Sequence, residues 1–237
     1  MDQNKHLRTV RSFVRREGRL TVGQEYALTE LWPDYGVDCK TEALDFSGVF
    51  GRDAPLNLEI GFGSGDALLA MAQERTQENF IGIEAYRPGA GRLISQLHEN
   101  GVKNAKVIVG DAVTILKTCF PDACLSNVYL FFPDPWHKKR HHKRRIVQSE
   151  FAYLVASKLV SPGRFYMATD WQPYAEHMLK ILSNTKSFNN LSESNSFTPR
   201  PDFRPQTKFE RRGLKLGHGV WDLCFEKCAL TSAESNR

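Results

Sequence analysis

From Leu56 onward the chain alternates two hydrophobic rhythms. Leu56-Asn57-Leu58-Glu59-Ile60 is a short apolar run that ends against glycines, which predicts a buried strand. Ala67 to Glu74 then carries a helical spacing. Phe80 to Glu84 predicts a second strand and Ala90 to Asn100 a second helix. The pattern repeats with a strand at Ala105 to Val109, a helix at Ala112 to Thr118, and a β-branched and aromatic strand at Leu125 to Phe132. It continues with a helix over Arg145 to Leu159, a strand over Arg164 to Ala168 and a helix over Gln172 to Ser183. Strands alternating with helices of this length predict an α/β fold, a doubly wound parallel sheet covered on both faces. After Ser183 the alternation stops. Ser187 to Pro205 is polar and proline-containing and reads as a loop or insertion. Val220 to Lys227 reads as a late strand, antiparallel at an edge because no helix precedes it.

Residues 1–50 carry no strong period and are broken by Pro33 and several glycines. They are expected to form a basic N-terminal extension, partly mobile at its start, that packs on the domain. Residues 51–230 are then a single domain, and 231–237 a frayed tail. The start of the chain is polar and arginine-rich with no apolar core, so it does not read as a secretory signal. No apolar run approaches the roughly 18 residues of a membrane span. Both features point to the cytoplasm. The five cysteines show no C-x-x-C spacing, so neither a disulfide framework nor a structural zinc site is expected.

Charge changes the picture more than composition does. Lys and Arg total 32 against 27 Asp and Glu, a net charge of +5. The cations are clustered: six lie between Lys5 and Arg19, six within Lys138 to Arg145, and six between Arg200 and Lys215. One charge run is usually a solvated surface. Separate clusters of this kind point to a polyanionic partner.

In an open α/β sheet, ligands bind beyond the carboxyl ends of the strands, so the residues that end each strand carry the chemistry. The first strand ends in Glu59-Ile60-Gly61-Phe62-Gly63-Ser64-Gly65-Asp66. Gly61, Gly63 and Gly65 allow a ligand close to the backbone. The spacing is G-x-G-x-G rather than G-x-G-x-x-G, and carboxylates at Glu59 and Asp66 would repel a diphosphate. They suit a ligand bearing an ammonium and a sulfonium, as S-adenosylmethionine does. The second strand ends in Glu84, which can accept both ribose hydroxyls. The third ends in Asp111, which can accept from the adenine amine. Each acid alone could be a helix cap or a solvated turn; three on successive strand ends are far more specific.

The fourth strand ends in Phe131-Phe132-Pro133-Asp134-Pro135-Trp136. Its prolines hold the segment extended, so that Asp134 and Trp136 stand beside the cofactor site. An acid with an aromatic suits a flat base, although a structural turn with a core Trp fits the same residues. His137-Lys138-Lys139-Arg140-His141-His142-Lys143-Arg144-Arg145 follows and reads as a phosphate-binding loop. The spacing of His137 and His141 also allows a metal pair, but the surrounding cations oppose it, so no metal is expected. The fifth strand ends in Thr169-Asp170. Thr207-Lys208-Phe209-Glu210 offers a hydroxyl, a cation, an aromatic and an acid, which suit a nucleotide or a plain β-ribbon.

Taken together, Leu58 to Gly65, Gly82-Ile83-Glu84 with Arg87-Pro88-Gly89, Phe131 to Lys138, Thr169-Asp170, Thr207 to Glu210 and the arm Arg11 to Arg16 resemble the bacterial tRNA (guanine-N7-)-methyltransferases. The resemblance runs from about Arg11 to Lys227. It departs at Tyr86, where the family usually carries a histidine or similar residue. It implies the class I S-adenosylmethionine-dependent methyltransferase fold, a Rossmann-like sheet, mostly parallel with one antiparallel edge strand. The implied reaction is methylation of tRNA at N7 of guanosine 46 in the variable loop. It further implies that Glu59, Glu84, Asp111 and Asp134 line the cofactor site, with Asp134 catalytic. Lys138, Asp170 and Thr207 to Glu210 would contact the guanosine, and Arg140, Lys143, Arg144 and Arg145 would hold RNA. No obligate protein partner is evident. Other readings are an NAD-dependent oxidoreductase, opposed by the acids of the glycine loop, and a non-catalytic RNA-binding module, opposed by the retained acids. A methyltransferase of proteins or small molecules is opposed by the basic clusters.

Overall fold

The computed structural model describes residues 18–40, 42–206, 210 and 219–229. The predicted alternation appears as β1 (Leu56–Ile60), α4 (Asp66–Glu74), β2 (Asn79–Glu84), α5 (Arg87–Glu99), β3 (Ala105–Val109), α6 (Ala112–Cys119), β4 (Leu125–Phe131), α7 (Ser149–Lys158), β5 (Leu159–Thr169) and α8 (Gln172–Ser183). Before it lie α1 (Val22–Thr29), α2 (Trp32–Tyr35) and α3 (Phe46–Phe50), and after it β6 (Phe188–Asn190) and β7 (Trp221–Lys227). The sheet has seven strands in the order β3-β2-β1-β4-β5-β7-β6. The run β3 to β5 is parallel, and β7 is antiparallel to both β5 and β6. The sheet is thus mostly parallel and doubly wound. Its antiparallel strand β7 lies next to the edge rather than at it, because Phe188–Asn190, within the segment expected to be a loop, adds a short strand outside it.

Strand alternation sends side chains to two cores. Leu58, Ile81, Ile83, Val128 and Leu130 pack with α6, α7 and α8, while Phe80, Tyr129 and Phe131 pack with α4 and α5. The second core also takes Ala27, Leu31 and Tyr35 from α1 and α2. Thr21 opens α1 with a reciprocal capping box to Gln24, which accounts for its sharp start.

Two further expectations are corrected. The helix after the basic loop begins at Ser149, not Arg145. Lys139–Arg144 forms a 3-10 turn, and Arg145 stays outside the helix with its side chain committed elsewhere. Cys39 and Cys119 are joined as a disulfide with Cα atoms 6.0 Å apart, whereas the spacing predicted only thiols. The reason is tertiary. Residues 36 and 37 run along Val107 of β3, and the Leu44 amide donates to the Cys119 carbonyl, which brings two cysteines 80 positions apart into reach. Among the described residues no helix is long and apolar enough to cross a membrane.

Candidate active site

The strand order reverses between β1 and β4, so their carboxyl ends open side by side. Beyond β1, Gly61, Gly63 and Gly65 all have positive φ, at 69°, 57° and 80°. A Cβ on Gly61 or Gly63 would meet nothing within 4 Å, so this turn faces open space. Phe62 fixes the turn from below by filling the place that Gly82 leaves empty, and Gly89 lets α5 press against the Gly63 carbonyl.

Acids surround that space. Glu59 is buried, and its Oε2 has no hydrogen-bond partner among the described residues. Burial, then the neighbouring Glu84 and Asp66 carboxylates, push its pKa up to about 8. Glu84 accepts from the Gly63 amide at 2.8 Å and the Tyr86 amide at 3.0 Å, so it shapes the glycine turn. Asp111 accepts from the Thr114 amide at 2.8 Å and caps α6. The cap alternative is therefore realised at Asp111, through one carboxylate oxygen. A buried acid oxygen without a partner beside an open glycine turn fits a cationic amine. The site thus suits S-adenosylmethionine, whose methionine portion carries one.

Beyond β4 the backbone is held in an unusual form. Phe132 and Trp136 both adopt left-handed φ, at 53° and 46°, and they bracket Pro133-Asp134-Pro135. The Phe132 amide donates to Ala168 of β5 at 2.8 Å. Asp134 is exposed on this rigid turn. Arg144 lies 4.8 Å from the Trp136 ring centroid, and His141 meets that ring edge-on. His137 instead meets Trp171, at 4.3 Å between centroids. The two histidines therefore face different aromatic partners rather than a shared ion. Among the described residues there is no cluster of three or more His, Cys, Asp and Glu that could hold a metal. Burial and then the cations around it, Arg140 first, push the His141 pKa down.

Asp170 is exposed at the end of β5, and Lys138, Arg140 and Lys143 are exposed around the basic turn. Arg145, expected among the RNA-binding residues, is placed differently from its neighbours in the run. It is 3% exposed, and its Nε donates to the Pro135 carbonyl at 2.9 Å. Thr207, Lys208, Phe209 and the arm Arg11 to Arg16 lie outside the described residues. Glu210, expected to contact the guanosine, is buried, with both oxygens accepting from Arg204 at 2.7 and 2.9 Å. The same guanidinium binds Asp222 of β7 at 2.7 and 2.9 Å and lies 5.5 Å from the Phe132 ring centroid. Arg204 and Asp222 escape a reading of the sequence. The only local signal is a cation in a polar loop and an acid in an apolar strand.

A family model described as a putative methyltransferase matches residues 53–223. The fold resembles the 16S rRNA methyltransferase KamB, with a TM-score of 0.60 at 12% identity over 79% of this chain and 95% of that one. It also resembles a SAM-dependent methyltransferase from Aquifex aeolicus, with a TM-score of 0.52 at 10% identity over 86% and 89%. At these identities the likeness speaks for the fold alone. The tRNA (guanine-N(7)-)-methyltransferase of Escherichia coli strain K12 is 57% identical over 227 residues, covering 95% of each chain. The enzyme of that name from Salmonella choleraesuis strain SC-B67 matches equally, at 57% over 95% of each chain. Similarity of this extent runs through both strand ends of the site, and the chain belongs to the tRNA (guanine-N(7)-)-methyltransferase family.

Proposed function

We propose that this protein transfers the methyl group of S-adenosylmethionine to N7 of a guanine in tRNA, at position 46 of the variable loop. One juxtaposition carries the reading. Glu59, whose buried Oε2 has no partner among the described residues, ends β1, and the turn bearing Asp134 ends the adjacent β4. The first suits the amine of the methyl donor, and the second offers an acid and an aromatic to a flat base beside it. The family relatives are named for methylation of a tRNA guanine at N7. The cytoplasm, where tRNA is at hand, is the compartment this reading expects.

When bound, S-adenosylmethionine supplies an electrophilic methyl on a cationic sulfur, which passes by in-line displacement to the N7 lone pair and leaves positive charge on the purine. N7 needs no base to free that lone pair. The protein's part is therefore positioning and electrostatics. Glu59 takes the ammonium, Glu84 the ribose hydroxyls and Asp111 the adenine amine. Asp134 orients the guanine and stabilises the charge that develops on it. Asp170 faces the Watson–Crick edge, and Lys138 and Thr207 to Phe209 complete the guanosine contacts. Arg140, Lys143 and Arg144 hold the RNA backbone. Glu210 is engaged by Arg204 through both carboxylate oxygens.

The test is methyl transfer from labelled S-adenosylmethionine to unmodified tRNA, followed by nucleoside analysis. N7-methylguanosine is the expected product, and its absence would sink the reading. Asp134→Asn should lower kcat by about a hundredfold or more, with little change in KM for tRNA. Unaltered turnover would remove Asp134 from its role.

A further inference from the structure

Arg145 closes a run of cations, yet its guanidinium faces inward. Its Nε donates to the Pro135 carbonyl at 2.9 Å and its Nη1 to the Pro173 carbonyl at 3.4 Å. Its Nη2 meets His142 Nε2 at 3.2 Å, and its plane lies 4.7 Å from the Tyr174 ring centroid. None of these partners is a carboxylate. Pro135 directly follows Asp134, and Pro173 lies in the first turn of α8, just after Asp170. One side chain therefore spans the loops that leave β4 and β5.

The turn needs such a tie. Pro133 and Pro135 have no N–H, so the segment around Asp134 has few donors with which to fix itself. The Pro135 carbonyl is an acceptor through which it can be held, and a planar fork can hold it together with a second carbonyl. The clamp is itself held. The Tyr174 hydroxyl accepts from the Val147 amide at 3.4 Å, and Gln148 Nε2 donates to the Arg145 carbonyl at 3.2 Å. Burial pushes the Tyr174 pKa up against the Val147 amide and Arg145, which oppose the rise, and Asp134 is near enough to add a little to it.

We propose that Arg145 is a positioning residue, which ties the Asp134 turn to the start of α8 and fixes Asp134 relative to Asp170, and that it does not contact tRNA. The proposal rests on the reading of the Asp134 turn as the catalytic edge. It separates Arg145 from Arg144, its neighbour in the same basic run, whose guanidinium is only half-buried beside Trp136. Lysine cannot replace the fork, because an ammonium is a point charge without its planar donor pair.

The experiment compares wild type with Arg145→Lys and Arg145→Gln, measuring kcat, KM for tRNA and the salt dependence of that KM. Both variants should lose roughly tenfold to a hundredfold in kcat, with KM within about threefold and the salt slope unchanged. A retained kcat, or a raised KM with a slope shallower by about 0.7–0.9, would overturn the proposal. Binding of S-adenosylmethionine and a melting curve report whether each variant is folded. Should neither fold, labelling of wild-type arginines with a glyoxal reagent decides, read by peptide mass spectrometry with and without tRNA. Arg145 should stay unlabelled in both states while Arg144 is labelled and then protected by tRNA. A reactive Arg145 that tRNA protects would overturn the proposal. If wild type itself forms no N7-methylguanosine, the proposed function fails instead, and the labelling pattern still decides whether Arg145 meets RNA.

Discussion

Glu59 ends β1 with one carboxylate oxygen buried and unpartnered, and its pKa is pushed from 4.5 up to about 8. The unfolded chain releases this proton near the ordinary value. Between the two values the folded protein binds a proton that the unfolded chain has lost, so stability from this group is present below about 4.5 and is lost as pH rises to about 8. An ammonium beside Glu59 favours its ionised form. Binding of S-adenosylmethionine should then release a proton below pH 8 and tighten by up to about tenfold per pH unit towards that value. Calorimetry at two pH values, in buffers of different ionisation enthalpy, reads both effects. Glu59→Gln should abolish the proton release. A wild-type affinity that is flat with pH would show that the amine does not meet this carboxylate.

The elements meet at the carboxyl edge, and side chains far apart in sequence hold that edge in place. Phe203 packs edge-on against Tyr129 and Tyr166 of the sheet. Arg204, next to it, locks this loop to β7 through Asp222 and also pairs with Glu210. Burial, with a smaller contribution from the Glu210 carboxylate, raises the Asp222 pKa, and Arg204 opposes that rise. Removing the guanidinium would leave two buried carboxylates facing each other. Arg204→Met should therefore cost about 3–5 kcal/mol in urea unfolding, far more than loss of a surface ion pair. A cost below about 1 kcal/mol would mean that the triad is not a structural lock.

At the scale of the whole molecule, the cations of the basic turn follow β4 at the edge where the acids that end β1 to β3 open. On the proposed reading, Arg140, Lys143 and Arg144 would make about three phosphate contacts from the basic turn. Counterion release then predicts that tRNA affinity falls by about thirtyfold between 50 and 200 mM salt. Arg144→Ala should raise KM for tRNA and make the salt slope shallower by about 0.7–0.9. The check is a double-logarithmic plot of KM against salt for both proteins. An unchanged slope in the variant would take Arg144 off the RNA.

The order of strands and helices was legible because each element announces itself locally. Apolar runs of Leu56 to Ile60 and Leu125 to Phe131 bury both faces, and glycines and prolines mark where they stop. The acids at the strand ends were legible for the same reason, since topology alone brings such ends to one edge. Short β6 was not legible, because three polar and aromatic residues acquire strand form only by pairing with β7. Nor were the partners of Arg145, Arg204, Glu210 and Cys119. A run of charges in sequence says nothing of which side chain turns inward, because that depends on carbonyls, rings and carboxylates brought in from other loops. The sequence by itself determined the element order, the acids of the cofactor edge and the basic character of the face beside it, all properties of local pattern. Only the tertiary structure decided which cations remain free to meet a polyanion and which are spent holding the site together, because burial and pairing exist only once distant segments are packed.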